Sequence, residues 1–451
     1  MRQLGARFTE GAVARHVTVM ISTSAVSLFA VFLVDILTLV YVAMLHAPVL
    51  LAAVGIAKVL VFSNTALVSG LIIAGTSVLS RHIGRHGNGA IAGRTFSLLL
   101  LVTVVSAVAA ALQLVFSAPL MHVLGADQDT AQAARDFILL ALPATVLQAA
   151  MQMAAQILRA AGHSSRALWV MLSGAATLAI ADPLLIFVLD LQLRGAGLAY
   201  ALSAIVSATL GVYWVRDKVG LRWAPDVRSI RAHWAETLRI GLPAVIASLA
   251  TPVAIAYLMA SVASFGVEAL AAMTVVDRIT QFAYCVFFAI PGALAPVLGQ
   301  NVGAGLAGRS LAAVSFTRRL ALGYGLLAWA MIACAQPALA AYYHLDGAGL
   351  ALLRMFCQYG GLLWALISLD FVSQAVFVTL GRPWLLTLFA WLRVTVGAIP
   401  FIWAGAHWFG SGGAVLGMLA GNALIAMAST LAASLAARRF FQRPCGTATF
   451  Q

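Results

Sequence analysis

An all-helical, polytopic membrane protein of twelve spans in two pseudosymmetric six-helix bundles is the fold class this chain predicts, and three observations predict it. The sequence is 63% hydrophobic and 9% charged over 451 residues, so it leaves no room for a soluble domain. It divides into apolar runs of about 20 residues or more, the length that crosses the ~30 Å hydrocarbon layer of a bilayer. It also repeats itself: Leu51-Ala52-Ala53 returns as Leu270-Ala271-Ala272 (270 − 51 = 219), Val78-Leu79 with Gly84 returns as Val297-Leu298 with Gly303, and Gly162 returns as Gly381. One offset shared by three separate matches marks an internal duplication of about half the chain.

The elements follow in order. Run 17–45 is preceded by Arg2, Arg7 and Arg15, and is too long for a cleavable signal peptide. Run 49–80 is followed by Arg81, Arg85 and Arg94, and run 95–120 by Asp127 and Asp129. Run 134–160 leads to Arg159 and Arg166, run 167–190 to an edge carrying Arg194, and run 194–215 to the most polar stretch of the chain. That stretch holds Arg216, Asp217, Lys218, Arg222, Trp223, Pro225, Asp226, Arg228 and Arg231, and is read as a surface linker, a short amphipathic helix with Trp223 and Trp234 near the headgroups. The second half repeats the pattern: 238–264, then Glu268; 268–299, then Arg309; 317–343 (with Arg318 and Arg319 at its start), then Asp346 and Arg354; 350–380, then Arg382; 383–407 and 411–437, then Arg438, Arg439 and Arg443. Backbone groups in lipid need internal partners, and no run alternates as a barrel strand does, so each run is expected as a helix. The expected domains are an N-terminal bundle 1–214, a cytoplasmic linker 215–237, a C-terminal bundle 238–437 and a cytoplasmic tail 438–451.

The net charge of +13 falls in every second loop, while Asp127, Asp129, Asp136, Glu268 and Asp346 mark the others. This distribution is topological: both termini are expected in the cytoplasm, of a bacterial inner membrane, and no nucleic-acid partner is implied. Cys285, Cys334, Cys357 and Cys445 show no pairing or metal-ligand spacing, and no metal site is expected. No Gly-x-x-x-x-Gly-Lys-Ser/Thr phosphate loop exists, so nucleotide hydrolysis is excluded in that form. The histidines (His16, His46, His82, His86, His122, His163, His233, His344, His407) fall at run ends or in loops, so no intramembrane nucleophile and base constellation is formed and an enzyme is not expected.

Charges inside the runs are the main functional signal, because each is costly in lipid without a partner or a wet cavity. Asp35 lies 18 residues into run 17–45 and Asp182 lies 15 beyond Ala167, at similar depth, so the two are candidates for a facing pair that shares a proton or holds a cation. The bland alternative for Asp182 is a carboxyl bonded to backbone freed by Pro183. Asp370 and Arg393 flank the Gly381-Arg382 turn by 11 and 12 residues, which reads as an ion pair in a helical hairpin, with a substrate or cation role as the alternative. Lys58 and Asp277 differ by 219 and are a candidate charge pair between bundles, although Arg278 is equally placed to satisfy Asp277. Tyr41, Phe62, Phe282, Tyr284 and Trp364 are candidate cavity aromatics, with plain packing or lipid contact as the alternative for each.

Gly299-Gln300-Asn301-Val302-Gly303-Ala304-Gly305, preceded by Met273-Thr274-Val275-Val276-Asp277-Arg278-Ile279, resembles a signature of the multidrug and toxic compound extrusion (MATE) family. Leu158-Arg159-Ala160-Ala161-Gly162, Ala181-Asp182-Pro183-Leu184 and Ile240-Gly241-Leu242-Pro243 are similar to further parts of that family, so the likeness spans nearly the whole chain. The resemblance implies cation-coupled antiport of amphipathic, often cationic, small molecules by a protein that works as a monomer without cofactor or nucleotide. A related lipid-linked oligosaccharide flippase is the alternative. The MATE resemblance implies cation-coupling roles for Asp182, Asp370 and, about one turn early, Asp35; the first-helix acidic position itself falls near Thr38 or Leu39. The chain departs from the family pattern at Leu178, Leu202 and Thr251, losing oxygen ligands that sodium would need. A proton needs one desolvated carboxylate, so H⁺ is the expected coupling ion over Na⁺.

Overall fold

The computed structural model describes residues 6–87, 91–123, 127–221, 226–343 and 345–442. Arg2, Arg222, Trp223, Pro225, His344, Arg443 and Cys445 lie outside them. Among the described residues every regular element is helical. The twelve spans are α1 (Val13–Ala43), α2 (Pro48–His86), α3 (Ala92–Val115), α4 (Gln128–Ala160), α5 (Ser164–Val188), α6 (Gln192–Lys218) and α7 (Val227–Ala263). They continue as α8 (Val267–Ala283 and Cys285–Gly303), α9 (Ala307–Tyr342), α10 (Gly347–Thr379), and α11 and α12, which make up Pro383–Gln442 on either side of Gly410. Gly410 has φ 68° and ψ −152°, which turns the chain between them.

The duplication holds at the level of helix ends. α2, α4 and α5 start at Pro48, Gln128 and Ser164, and α8, α10 and α11 start at Val267, Gly347 and Pro383, each 219 residues on (267 − 48, 347 − 128, 383 − 164). Gly162 and Gly381 both take positive φ, 86° and 71°, closing the helix before each turn in a conformation only glycine adopts cheaply. Asp127 and Asp346 occupy the N-cap of α4 and α10; Asp127 accepts the Thr130 N–H at 2.8 Å, and its hydrogen bonds to Thr130 hold the carboxylate below its ordinary range.

The chain packs as two compact units, one of Met1–Arg7 with Val26–Gly241 and another of Phe8–Ala25 with Leu242–Gln451. The first turns of α1 therefore group with the second half, and residues 215–237 with the first. In the first unit α4 is the central helix, packed against α2, α3, α5 and α6. Its Phe137, Ile138, Ala141 and Leu142 meet Val54, Ala57 and Leu60 of α2, Ile186 of α5 and Ala196 of α6 in one buried cluster. In the second unit α10 takes that place among α8, α9 and α12.

Small residues set the closest helix approach. A Cβ on Gly413, Gly417 or Gly421 of α12 would strike the carbonyl oxygen of Gly405, Phe401 or Gly397 of α11, a stripe at every fourth residue that lets the two backbones touch.

Two sequence expectations are corrected here. Run 268–299 is two helices, because Tyr284 leaves the helical region (φ −113°, ψ 15°) between them. Among its described residues the linker is not a separate interfacial helix: from Val227 it is the first part of α7, and Trp234 donates its Nε1–H to the Ser97 carbonyl at 2.9 Å. A half-buried indole does best with a partner for that group, and α3 supplies it.

Candidate functional site

α5 places Asp182 one residue before Pro183, which cannot donate a backbone hydrogen bond and is followed by a widened turn over Leu184–Val188. α6 accommodates that turn through Gly195, where a Cβ would lie 2.6 Å from the Leu185 carbonyl oxygen. Asp182 is fully buried. Its Oδ2 accepts the hydroxyl of Thr38 on α1, and its Oδ1 has no hydrogen-bond partner among the described residues. The carboxyl is thus held by one donor, with its other oxygen aimed into protein, not by backbone freed at Pro183.

Asp35 does not face Asp182 as a second buried carboxylate. Its side chain is 54% exposed, and Lys58 Nζ of α2 lies 3.5 Å from its Oδ1 and 3.1 Å from its backbone oxygen. Thr38, three residues along the same helix, is the group turned to Asp182; a hydroxyl donor there avoids two like charges in one dry site. Lys58 and Asp35 remain within electrostatic reach of Asp182. Tyr41 packs edge-on against Phe187 at 6.0 Å, alongside the buried cluster of the first unit.

Lys58, expected opposite Asp277, takes its carboxylate partner from its own unit. Asp277 accepts from Gln281 Nε2 at 2.8 Å, and Arg278 donates to Gln281 Oε1 at 3.0 Å, so a single amide one turn along α8 serves both charges. Gln281 carried no signal in the sequence that set it apart from other polar residues.

The Asp370–Arg393 ion pair is formed, at 3.0 Å. Asp370 Oδ2 also accepts from Gln374 Nε2 at 3.0 Å, and Oδ1 accepts from Ser429 Oγ of α12 at 2.6 Å. Arg393 opens a widened turn in α11 (Arg393–Ala398). Both oxygens of Asp370 are satisfied, the arrangement of the ion-pair reading of this residue.

Tyr284, a candidate cavity aromatic with packing as its alternative, is fully buried: it stacks on Phe287 and Trp364, both at 5.4 Å, and donates to the Gly361 carbonyl at 3.3 Å. The break in α8 leaves its ring with packing to do. Phe62, by contrast, is 62% exposed.

The Gly299–Gly305 signature is architectural. Gln300 Oε1 accepts the Phe8 N–H at 2.9 Å, Asn301 Nδ2 donates to the Phe8 carbonyl at 3.1 Å, and Arg309 donates to Asn301 Oδ1 and to the carbonyls of Phe8, Glu10 and Gly11. The signature therefore fixes the segment that precedes α1. In the first unit, Arg7 donates to the Gly162 carbonyl at 2.7 Å beside His163. Burial holds His163 below the ordinary histidine value, and Arg166, Arg7 and Lys218 add to the effect.

Three comparisons bear on this arrangement. The MatE family profile matches twice, over residues 23–184 and 243–404, a separation of 220 (243 − 23) beside the internal offset of 219. An uncharacterized 21 kDa protein of Pseudomonas savastanoi is 38% identical over 240 residues, covering 52% of this chain and 77% of that one. A FAD transporter of Shewanella oneidensis is 26% identical over 382 residues, covering 81% and 83%. A crystal structure of a mutant of the Vibrio cholerae MATE transporter VcmN superposes with TM-score 0.91 at 22% identity, covering 96% of this chain and 99% of that chain. With its duplicated profile and its helices in the same two-fold register, the chain belongs to the MatE family of membrane efflux transporters.

Proposed function

We propose that this transporter is a proton-coupled antiporter that exports amphipathic, often cationic, small molecules across a bacterial inner membrane, with both termini in the cytoplasm and the monomer as the working unit. The Asp182 geometry carries the reading. A sodium ion asks for several oxygen ligands, whereas Asp182 has the Thr38 hydroxyl beside it and an oxygen with no partner among the described residues. One buried carboxyl with one free oxygen suits a proton, which needs a single base in a dry site. The positions where the family pattern would add oxygens carry Leu178 and Leu202. A cationic cargo is favoured because the bases an anionic cargo would need are engaged, Lys58 and Arg393 each by a carboxylate and Arg278 by the Gln281 amide that also holds Asp277. FAD, named for the Shewanella relative, would require such a base to be released.

The test is dye efflux from proteoliposomes under a proton gradient alone and then a sodium gradient alone, for wild type and Asp182→Asn. Efflux driven by the proton gradient, falling to the level of empty liposomes in the variant, is the expected result. Efflux driven only by sodium overturns the proton assignment.

A further inference from the structure

The first unit holds three charges in a row whose partners do not match their needs. Asp182 is buried with one oxygen that has no partner among the described residues, while Asp35, exposed to solvent, has the nearby cation. The Lys58–Asp35 pair is weakly held, at 3.5 Å with both side chains partly exposed, and such pairs exchange at little cost. An ionised, buried Asp182 without a counter-charge is far costlier. Asp35 and Thr38 are one helical turn apart on α1, and Thr38 touches Asp182. The lysine ammonium on its flexible stem thus has on the order of 5 Å to travel between the two carboxylates.

We propose that Lys58 is a mobile counter-ion that couples the proton on Asp182 to cation binding at Asp35. With Asp182 protonated, Lys58 sits on Asp35, as the structure shows, and blocks it. When the Asp182 O–H bond breaks and the proton leaves to water, the Lys58 ammonium moves to Asp182 Oδ1, and the freed Asp35 carboxylate takes a cationic substrate. The three groups with their cargo carry no net charge in either state, so one proton exchanges for one monovalent cation without charging the low-dielectric site. The groups that bear on these carboxylates are Asp35 and Thr38 on α1, Lys58 on α2 and Tyr200 on α6. Lys58 is the one cation in that set of described residues.

The proposal rests on the proton-coupled reading, and the test separates the two. Tetraphenylphosphonium binding to the purified protein in detergent is measured from about pH 5 to about pH 8, where relief of proton competition as pH rises increases cation affinity up to about tenfold per pH unit. Wild type and Lys58→Arg are expected to show that slope. Lys58→Met is expected to bind the cation with a flat profile, because Asp35 is then always open, and Asp35→Asn is expected to lose at least about tenfold in affinity at pH 8. A slope in Lys58→Met equal to wild type, or unchanged binding in Asp35→Asn, overturns the mobile counter-ion. If Lys58→Met does not elute as folded protein, Asp35→Asn decides alone. Asp182→Asn is the control for the underlying reading: a wild-type slope that survives in it means that Asp182 is not the coupling group, whereas a slope lost there and kept in Lys58→Met refutes only the lysine's movement.

Discussion

At the residue scale, Asp182 and Asp370, both buried among the described residues, differ in how completely their oxygens are satisfied, and that difference predicts how each responds to losing its charge. Asp370 has an arginine, an amide and a hydroxyl on its two oxygens; Asp182 has one hydroxyl. Removing one partner of a buried, bonded ion pair strands the other, at a cost of about 3 kcal/mol. Asp370→Asn is therefore expected to lower the thermal stability of the detergent-purified protein clearly, and Asp370→Asn with Arg393→Gln to recover part of the loss, as a double-mutant cycle on unfolding would show. Asp182→Asn is expected to unfold close to wild type in the same assay. The sequence carried the Asp370–Arg393 pair, because equal spacing from a turn fixes equal depth. It placed Asp182 by its proline but could not show that Thr38, not Asp35, turns toward it, since residues three apart lie nearly one turn along a helix and share a side of it. The burial of Tyr284 was hidden for a related reason: an aromatic in an apolar run reads the same on a cavity wall and in a core.

At the element scale, the twelve runs emerged as twelve spans because bilayer thickness and hydropathy determine length, while breaks within an apolar run leave hydropathy unchanged. The interruption at Tyr284 and the widened turns after Pro183 and at Arg393 are of that kind. The α11–α12 contact was equally invisible to hydropathy, although its glycines are spaced by four. It yields a contest of magnitudes. Replacing a helical glycine by alanine gains about 1 kcal/mol in propensity. At Gly421 the new Cβ meets the Gly397 carbonyl, and overpacking against backbone costs about 1–3 kcal/mol or more. Gly421→Ala is expected to lower the unfolding temperature, while Gly323→Ala in α9, where a Cβ meets nothing within 4 Å, is expected to leave it unchanged or raise it. Equal behaviour of the two variants in thermal unfolding would show that the stripe does not set the helix approach.

At the scale of the whole molecule, the charge distribution argues for an orientation. Arg and Lys cluster beyond the ends of α2, α4 and α6, whereas Asp127 and Asp129 stand at the start of α4, so the loop after α3 belongs to the opposite side. Helices of 24 to 39 residues along α2 to α6 each suffice to cross, so each loop reverses side. Two probes settle the sense. In a chain whose cysteines Cys285, Cys334, Cys357 and Cys445 are replaced by serine, Asp129→Cys and Arg216→Cys sit at exposed positions near the opposite ends of this sequence of crossings. A membrane-impermeant maleimide added to spheroplasts is expected to label position 129 directly and position 216 only after permeabilisation. The reverse pattern would place the termini outside and send any Asp182-bound proton the wrong way for export. Labelling of both from outside would mean that an even number of the helices between them cross, and would remove the basis for reading the basic loops as cytoplasmic.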